Sequence, residues 1–328
     1  MSRQRQLLQL LSDGRFHSGE RLGRELGVSR AAVWKLLEGI RKSGIALDSV
    51  KGRGYRLRQP IELLDPDSLL ELLSPEASAL LGGLEIHEEL DSTNRHLLRR
   101  SREGLVPGAV CLAESQTAGR GRRGRTWVSP YASNIYLSLY WEFEQGAAQL
   151  SGLSLAVAVS VATALNDVGI EGVGVKWPND LLVADRKLGG ILLEMSGEPT
   201  GVCQIVVGIG LNVRMPPEAS DDIDQPWSDV ASLCPDISRS RLTASLLDRL
   251  LKDMQRFSDC GFEAFRAQWT ELDLYKGRQV HLLMPHRTIE GVARGVDETG
   301  ALLLEDQEGG LQRFMSGEVT VRPRCGNQ

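Results

Sequence analysis

Seven consecutive residues, 119–125, read Gly-Arg-Gly-Arg-Arg-Gly-Arg. Planar guanidinium groups pair bidentately with phosphate oxygens, and a glycine-loosened backbone presents many N–H donors, so the run suits a polyphosphate or an acyl phosphate. Taken alone, it equally describes an exposed basic loop that meets nucleic acid without reading it. The spacing of Gly119, Gly121 and Gly124 fits G-x-G-x-x-G, yet Thr126-Trp127-Val128-Ser129-Pro130 is a poor helix start. A dinucleotide-binding turn is therefore not expected. No phosphate-loop run of the G-x-x-x-x-G-K type occurs either.

Two further clusters carry chemistry. Lys-Trp-Pro-Asn-Asp at 176–180 leads through apolar residues 181–184 and a polar turn at Asp185-Arg186 into Lys187-Leu-Gly-Gly. Alternation around such a turn predicts a hairpin, and the paired glycines permit close backbone approach beside Lys187. That lysine either neutralises developing negative charge or is an ordinary solvated strand residue. Earlier, Asp91-Ser92-Thr93-Asn94 precedes a helix through Leu97 and Leu98. Its short polar side chains either cap the helix or hold a small polar ligand. A strand over 202–210 ends in Gly208-Ile-Gly-Leu-Asn212, where the glycines again leave room for a ligand.

The elements that position these groups follow from length and patterning. At 328 residues the chain is about twice the ~150-residue prior for one domain, so two or three domains are expected. With 41% hydrophobic and 25% charged residues it matches globular averages, which excludes wholesale disorder. The near-apolar stretch 153–165, read as a buried helix, is too short to cross a membrane. The N-terminus lacks a signal-peptide pattern, so the expected location is the cytoplasm with no membrane partner. Five cysteines, odd in number, scattered and never in C-x-x-C spacing, read as free thiols rather than disulfides or a zinc framework.

The net charge of −5 conceals an asymmetry. Residues 1–60 hold 13 Lys or Arg against 5 Asp or Glu, a balance of +8, leaving −13 for the rest. That split predicts a basic nucleic-acid module joined to an acidic body. Leu7, Leu8, Leu10 and Leu11 mark a first helix ending at Asp13-Gly14; a second starts near Ser18 and exits at Gly27; Ser29 caps a third. The third helix carries Val33, Leu36, Leu37 and Ile40 on one face, and strands over 45–50 and 55–57 flank the basic tip Lys51-Gly-Arg53-Gly54. This is a winged helix-turn-helix pattern. Its reading helix would bring Ser29, Arg30, Ala31 and Lys35 nearest the bases, with Lys51 and Arg53 on phosphates. A winged helix that contacts protein instead is the alternative.

The three signatures at 119–124, 176–180 and 187–190, behind a winged helix, resemble the biotin protein ligases, specifically those that double as biotin operon repressors. The resemblance covers nearly the whole chain, with no departure in the three motifs. It implies an α/β (α+β) architecture of a winged helix-turn-helix at 1–60, a linker at 61–66, a mixed-sheet, class II synthetase-like ligase domain at 67–275 and an SH3-like β-barrel at 276–328. Five alternating segments at 279–283, 288–296, 301–305, 312–315 and 318–321 agree with a small barrel.

The same resemblance implies an ATP-dependent, AMP-forming reaction. Biotin and ATP give biotinyl-5′-AMP, and biotin then passes to one lysine of the biotin carrier protein of a carboxylase. By motif position, Ser92, Thr93, Asn94 and Gln116 would hold the ureido end of biotin, and Arg120, Gly121 and Arg122 would close over its acyl and phosphate end. Lys187 would touch both carboxylate and α-phosphate. Trp127 would pack near adenine, with Lys176, Asn179 and Asn212 assisting the nucleotide. Mg²⁺ would arrive with ATP near Asn179 rather than in a fixed protein site. Arg122, Lys187 and Asp180 are the implied catalytic groups, Asp180 as the base for a carrier amine whose ordinary pKa is about 10.4. The Arg-Gly loop would order over the adenylate. Biotinyl-AMP would also act as corepressor, promoting a homodimer on a palindromic operator.

Other classes stay open. A ligand-sensing repressor without catalysis is opposed by the intact Lys187 and Arg-Gly loop. A lipoate ligase would not ordinarily carry this winged helix. A ligase with a vestigial or retargeted DNA module is a third reading.

Overall fold

The computed structural model describes residues 2–144, 146, 150–197, 201–284, 287–315 and 320–323. Glu318 and Val319 of the expected last strand, and Cys325, lie outside the described residues.

The chain opens with α1 (Arg3–Leu11), α2 (Gly19–Leu26) and α3 (Arg30–Lys42). Each begins at a serine, Ser2, Ser18 or Ser29, whose hydroxyl accepts a backbone N–H of the first turn. Such capping satisfies donors that have no partner inside the helix. Gly27, at φ +64°, ends α2 in a left-handed conformation that any Cβ would oppose. The wing consists of β1 (Leu47–Val50) paired antiparallel with β2 (Gly54–Leu57). It starts two residues later than the alternation predicted, because the Ile45 N–H closes the end of α3 on the Ile40 carbonyl. Leu7, Leu22, Val33, Leu37 and Ile40 form its core, which Tyr131 and Ala132 of the central region extend.

The segment expected as a linker is packed. Leu64 is fully buried, and the Glu62 carboxylate accepts from Ser238 Oγ and the Arg239 and Ser240 N–H groups. Beyond it, α4 (Pro66–Glu71) starts from the Asp65 cap with proline in the first turn. Arg5 of α1 donates to the Leu64 carbonyl and to Glu114 Oε1.

The central region continues through α5 (Pro75–Leu80), β3 (Gly83–Leu90), α6 (Thr93–Ser101), β4 (Ala109–Gln116), β5 (Ile135–Phe143), α7 (Leu153–Asp167), β6 (Gly174–Lys176), β7 (Asp180–Val183), β8 (Arg186–Gly197), β9 (Cys203–Leu211), α8 (Arg239–Cys260) and α9 (Glu263–Leu272). Its seven strands form one sheet in the order β3-β4-β5-β9-β8-β7-β6. Among the described strands of this sheet only the β3–β4 pair is parallel, so the sheet is mixed.

Strand alternation assigns the two faces. Val110, Leu112, Ile135, Leu137 and Leu139 point into the main core with α7 and α8, whereas Cys111 and Tyr140 meet Leu97 of α6 on the other side. Helix α7 is buried along nearly its whole length, as its apolar run predicts. The β7–β8 turn falls at Ala184-Asp185, one residue before the predicted position. Both residues take positive φ, +47° and +58°, the geometry a two-residue hairpin needs to match strand twist.

The C-terminal strands β10 (Gln279–Leu283), β11 (Thr288–Val296), β12 (Leu302–Glu305), β13 (Leu311–Phe314) and β14 (Thr320–Pro323) form an antiparallel sheet in the order β13-β12-β11-β10-β14. Trp177 Nε1 donates to the Gly300 carbonyl at 3.1 Å, joining this sheet to the central region. Among the described residues no helix is long and apolar enough to cross a membrane.

Candidate active site

The start of α6 and the end of β4 build one wall of a cavity of about 500 Å³. Ser92 caps α6. The Thr93 N–H and hydroxyl both donate to Gln116 Oε1, at 2.9 and 3.2 Å, and Gln116 Nε2 donates to Ser129 Oγ at 3.1 Å. Ser138, on β5, donates to Thr93 Oγ1 or Asn94 Oδ1, 2.7 and 2.6 Å away. The Asn94 amide donates in turn to Glu194 Oε2 at 2.9 Å and to the Leu192 carbonyl. Ser92, Thr93 and Asn94 are all buried. A buried network of this kind has fixed directions and suits a small ligand with paired donors and acceptors.

Glycines make the floor. Gly190, Gly208 and Gly210 line the cavity on β8 and β9. A Cβ at Gly208 would collide with the Asn94 amide, and one at Gly210 with the Trp127 indole. The strands leave these positions bare so that both side chains can lie against the sheet. Trp127 Nε1 is buried without a hydrogen-bond partner.

Charge gathers at the far end. Lys187 Nζ is 2.8 Å from Asp180 Oδ1, and Lys176 Nζ is 3.6 Å from Oδ2. Burial pushes the Asp180 carboxyl up, but the two ammonium groups outweigh it and hold the group below the usual carboxylate range. Lys187 also lies 5.6 Å from the Trp127 ring centroid. Arg122 donates to Asn179 Oδ1 at 3.0 Å, and burial lowers its otherwise very high pKa. Asn179 is fixed by donating to the Ile191 carbonyl. Arg120 reaches Glu194 at 3.4 Å.

The Arg-Gly loop is folded on itself. The Gly121 N–H donates to the Arg125 carbonyl at 2.7 Å, and Arg123 turns the chain at φ +56°.

All thirteen residues expected at the biotin, nucleotide and catalytic positions line this cavity: Ser92, Thr93, Asn94, Gln116, Arg120, Gly121, Arg122, Trp127, Lys176, Asn179, Asp180, Lys187 and Asn212. Asn212 is nearly buried, and its amide donates to the Ser228 carbonyl at 3.1 Å. It thereby fastens the segment at 223–228, of which Ile223, Asp224, Gln225 and Trp227 complete the wall. That segment, together with Ser138 and Glu194, was missed. A lone serine in the apolar run of β5 was the only local signal for Ser138. Trp227 had none, since backbone bonds to Lys187 bring it in.

The groups expected at DNA lie elsewhere, on α3 and the wing. Ser29, Arg30, Ala31, Lys35, Lys51 and Arg53 are all exposed. The Ser29 hydroxyl is engaged in capping, and the Arg53 guanidinium lies 4.4 Å from the Phe16 ring centroid. Trp34, 54% exposed on the same helix, was not singled out.

A winged helix, a mixed-sheet domain with this cavity and a small C-terminal sheet define a ligase attached to a DNA-binding module. Three family models match in that order: an HTH domain over residues 3–56, the biotin/lipoate A/B protein ligase family over 87–212 and the biotin protein ligase C terminal domain over 276–322. The chain is 42% identical over 316 residues to the bifunctional ligase/repressor BirA of Salmonella typhimurium, covering 96% of each chain. It is 30% identical to the protein of that name from Bacillus subtilis, covering 96% of this chain and 97% of the other. The solved biotin protein ligase from Aquifex aeolicus, in complex with biotin and ATP, is 29% identical with a TM-score of 0.63, covering 74% of this chain and 99% of that one. The chain belongs to the family of bifunctional biotin protein ligases and repressors.

Proposed function

We propose that the protein condenses biotin with ATP to biotinyl-5′-AMP and transfers biotin to one lysine of a carboxylase carrier domain. The observation that carries this is the sharing of one cavity by a buried polar network at Thr93, Asn94 and Gln116 and a cationic end at Lys187 and Arg122. The network would take the ureido group, leaving the carboxylate directed at the cations.

The biotin carboxylate attacks the α-phosphorus, an O–P bond forms, and pyrophosphate leaves with the electrons of the broken P–O bond. Lys187 and Arg122 act by meeting the charge that grows on the phosphate oxygens, where preorganised cations are most effective. Holding both reactants in one cavity supplies the orientation, and no enzyme nucleophile is needed. The oxygen of Asn179, now accepting from Arg122, and the Asp180 carboxylate are the donors that fit Mg²⁺ carried in on ATP. That ion would offset the phosphate charge. For transfer, the ionised Asp180 accepts the amine proton once Lys187 has turned to the phosphate, and AMP leaves as the amide forms.

Mixing the protein with biotin, Mg-ATP and a carrier domain, and following the carrier by intact mass, tests this. One biotin adduct that requires ATP and the target lysine supports it. Lipoate added in preference to biotin, or no adduct although biotin binds, overturns it.

The exposed basic residues of α3 and the wing support a second role, repression of biotin biosynthesis genes by a homodimer that biotinyl-AMP assembles on operator DNA. Gel shifts at several salt concentrations, with and without the adenylate, read it directly, since phosphate contacts make affinity fall steeply with salt. Operator affinity independent of biotinyl-AMP contradicts it. Protease nicking at residues 119–125 that biotin plus ATP fails to suppress contradicts ordering of the loop.

A further inference from the structure

Outside the cavity, four donor groups converge on the face of the sheet that α6 covers. Glu85 and His87, two residues apart on β3, project to the same side. The parallel register sets Cys111 of β4 opposite Glu85, and α6 brings His96 over the pair. Glu85 Oε2 is 3.0 Å from His87 Nε2 and 2.9 Å from His96 Nε2. The two imidazole centroids are 4.7 Å apart, and one nitrogen of each ring and the Cys111 sulfur all lie within 4.8 Å of one another.

We propose that this cluster binds a divalent cation of the zinc class, with His87, His96 and the Cys111 thiolate as ligands and Glu85 as the fourth donor. Two imidazoles, a thiolate and a carboxylate form a donor set that selects zinc over magnesium. With Zn–N near ~2.0 Å and Zn–S near ~2.3 Å, donors in a tetrahedron stand roughly 3.3–3.6 Å apart. The Glu85 oxygen already sits close to that spacing from both histidines, and the sulfur, within 4.8 Å of a nitrogen of each ring, needs to approach the rings by up to about 1.5 Å. Arg100 donates to the other carboxylate oxygen, Oε1, at 2.5 Å, which aims Oε2 at the rings as an outer partner does for a ligating carboxylate. The competing arrangement is a metal-free hydrogen-bond cluster in which Glu85 bridges two histidines.

On binding, the metal–sulfur bond forms as the S–H proton leaves to solvent, and the metal likewise replaces any proton on the ligating ring nitrogens. His96 lies one turn beyond the α6 residues that face the cavity. The cation would therefore clamp α6 to β3 and β4 and steady Thr93 and Asn94. The site stands independently of the ligase reading.

The full chain, stripped by a chelator and kept free of nucleotide, is titrated with Zn²⁺ against a chromophoric chelator and separately with Co²⁺. One equivalent of Zn²⁺ is expected. Co²⁺ should give a strong tetrahedral d–d spectrum with a thiolate charge-transfer band, and that band should vanish in Cys111→Ala. Cys111 is fully buried, so that variant can lose stability. His87→Gln, at a side chain 33% exposed, and His96→Gln keep the test decisive. Each should weaken Zn²⁺ at least tenfold while leaving the metal-free melting curve in place. Folded wild-type protein that takes up no stoichiometric Zn²⁺, or histidine variants that bind Zn²⁺ as tightly as the wild type, overturn the proposal.

Discussion

Lys187 Nζ stands 2.8 Å from Asp180 Oδ1, a contact between two half-buried side chains at the charged end of the cavity. The pair holds the lysine where charge develops during adenylation and keeps the carboxylate ionised. Removing the cation by Lys187→Met should slow pyrophosphate release by about 10²–10³-fold. Asp180→Asn should slow transfer from preformed biotinyl-AMP more than it slows adenylation. Equal losses in the two single-turnover rates would assign Asp180 a positioning role instead.

Gly208 and Gly210 separate the two halves of the site. A methyl at Gly208 meets Asn94, whereas one at Gly210 meets Trp127. Gly208→Ala should therefore raise the KM for biotin by about tenfold with little change for ATP, and Gly210→Ala should do the reverse. A one-carbon overlap with a packed group is enough for effects of about 1–3 kcal/mol. Steady-state kinetics with each substrate varied in turn distinguishes the outcomes, and identical behaviour of the two variants would sink the assignment.

Glu114, with no exposed surface, receives Arg5 from the winged helix at 3.3 Å and Arg239 from α8 at 2.6 Å. Its Oε1 also accepts the Leu64 N–H at 2.8 Å. Replacing one member leaves the others buried and uncompensated, which costs about 3–5 kcal/mol. Glu114→Gln should lower the unfolding free energy by that amount, read as a fall in the urea midpoint at unchanged slope. Arg5→Met should act mainly on the winged helix, seen as faster proteolysis near residues 58–65. A midpoint unchanged in both variants would refute the account.

Asp91, just before the α6 cap, pairs with Arg95 and Arg99 at 3.0 Å each. Burial pushes its carboxyl up, but hydrogen bonds from Arg99, the Ser92 N–H and Arg95 outweigh it and bring the pKa from 3.8 to about 2. A pKa lowered by folding contributes stability that is complete above the unfolded value and lost as pH falls through the folded one. The window is therefore roughly pH 4 to 2. Because both arginines are partly in water, the contribution is about 1–2 kcal/mol at most. Denaturation of Asp91→Asn and the parent at pH 7 and near pH 2 should show a gap that closes at the lower pH; a gap of constant size would contradict this.

Much of the local structure was legible. Ser18 and Ser29 open helices because a hydroxyl in that position can reach an otherwise unpaired N–H, a relation within three residues. Lys187 and Asp180 share a hairpin, so their nearness followed from pairing across it. The segment at 61–65 was less legible. The bracketing Pro60 and Pro66 and its place between a basic and an acidic region suggested a free connection, yet Glu62 finds its partners at Ser238 and Ser240, far along the chain.

The sequence by itself determined the helices, the hairpins and the three motif runs, because caps, alternation and turn residues act over a few positions. Only the tertiary structure decided that Ser138 faces Asn94, that Trp227 stands beside Lys187, and that Glu85, His87, His96 and Cys111 meet across two strands and a helix. Those contacts depend on sheet order and register, which set distances between residues remote in the chain and which no local pattern encodes.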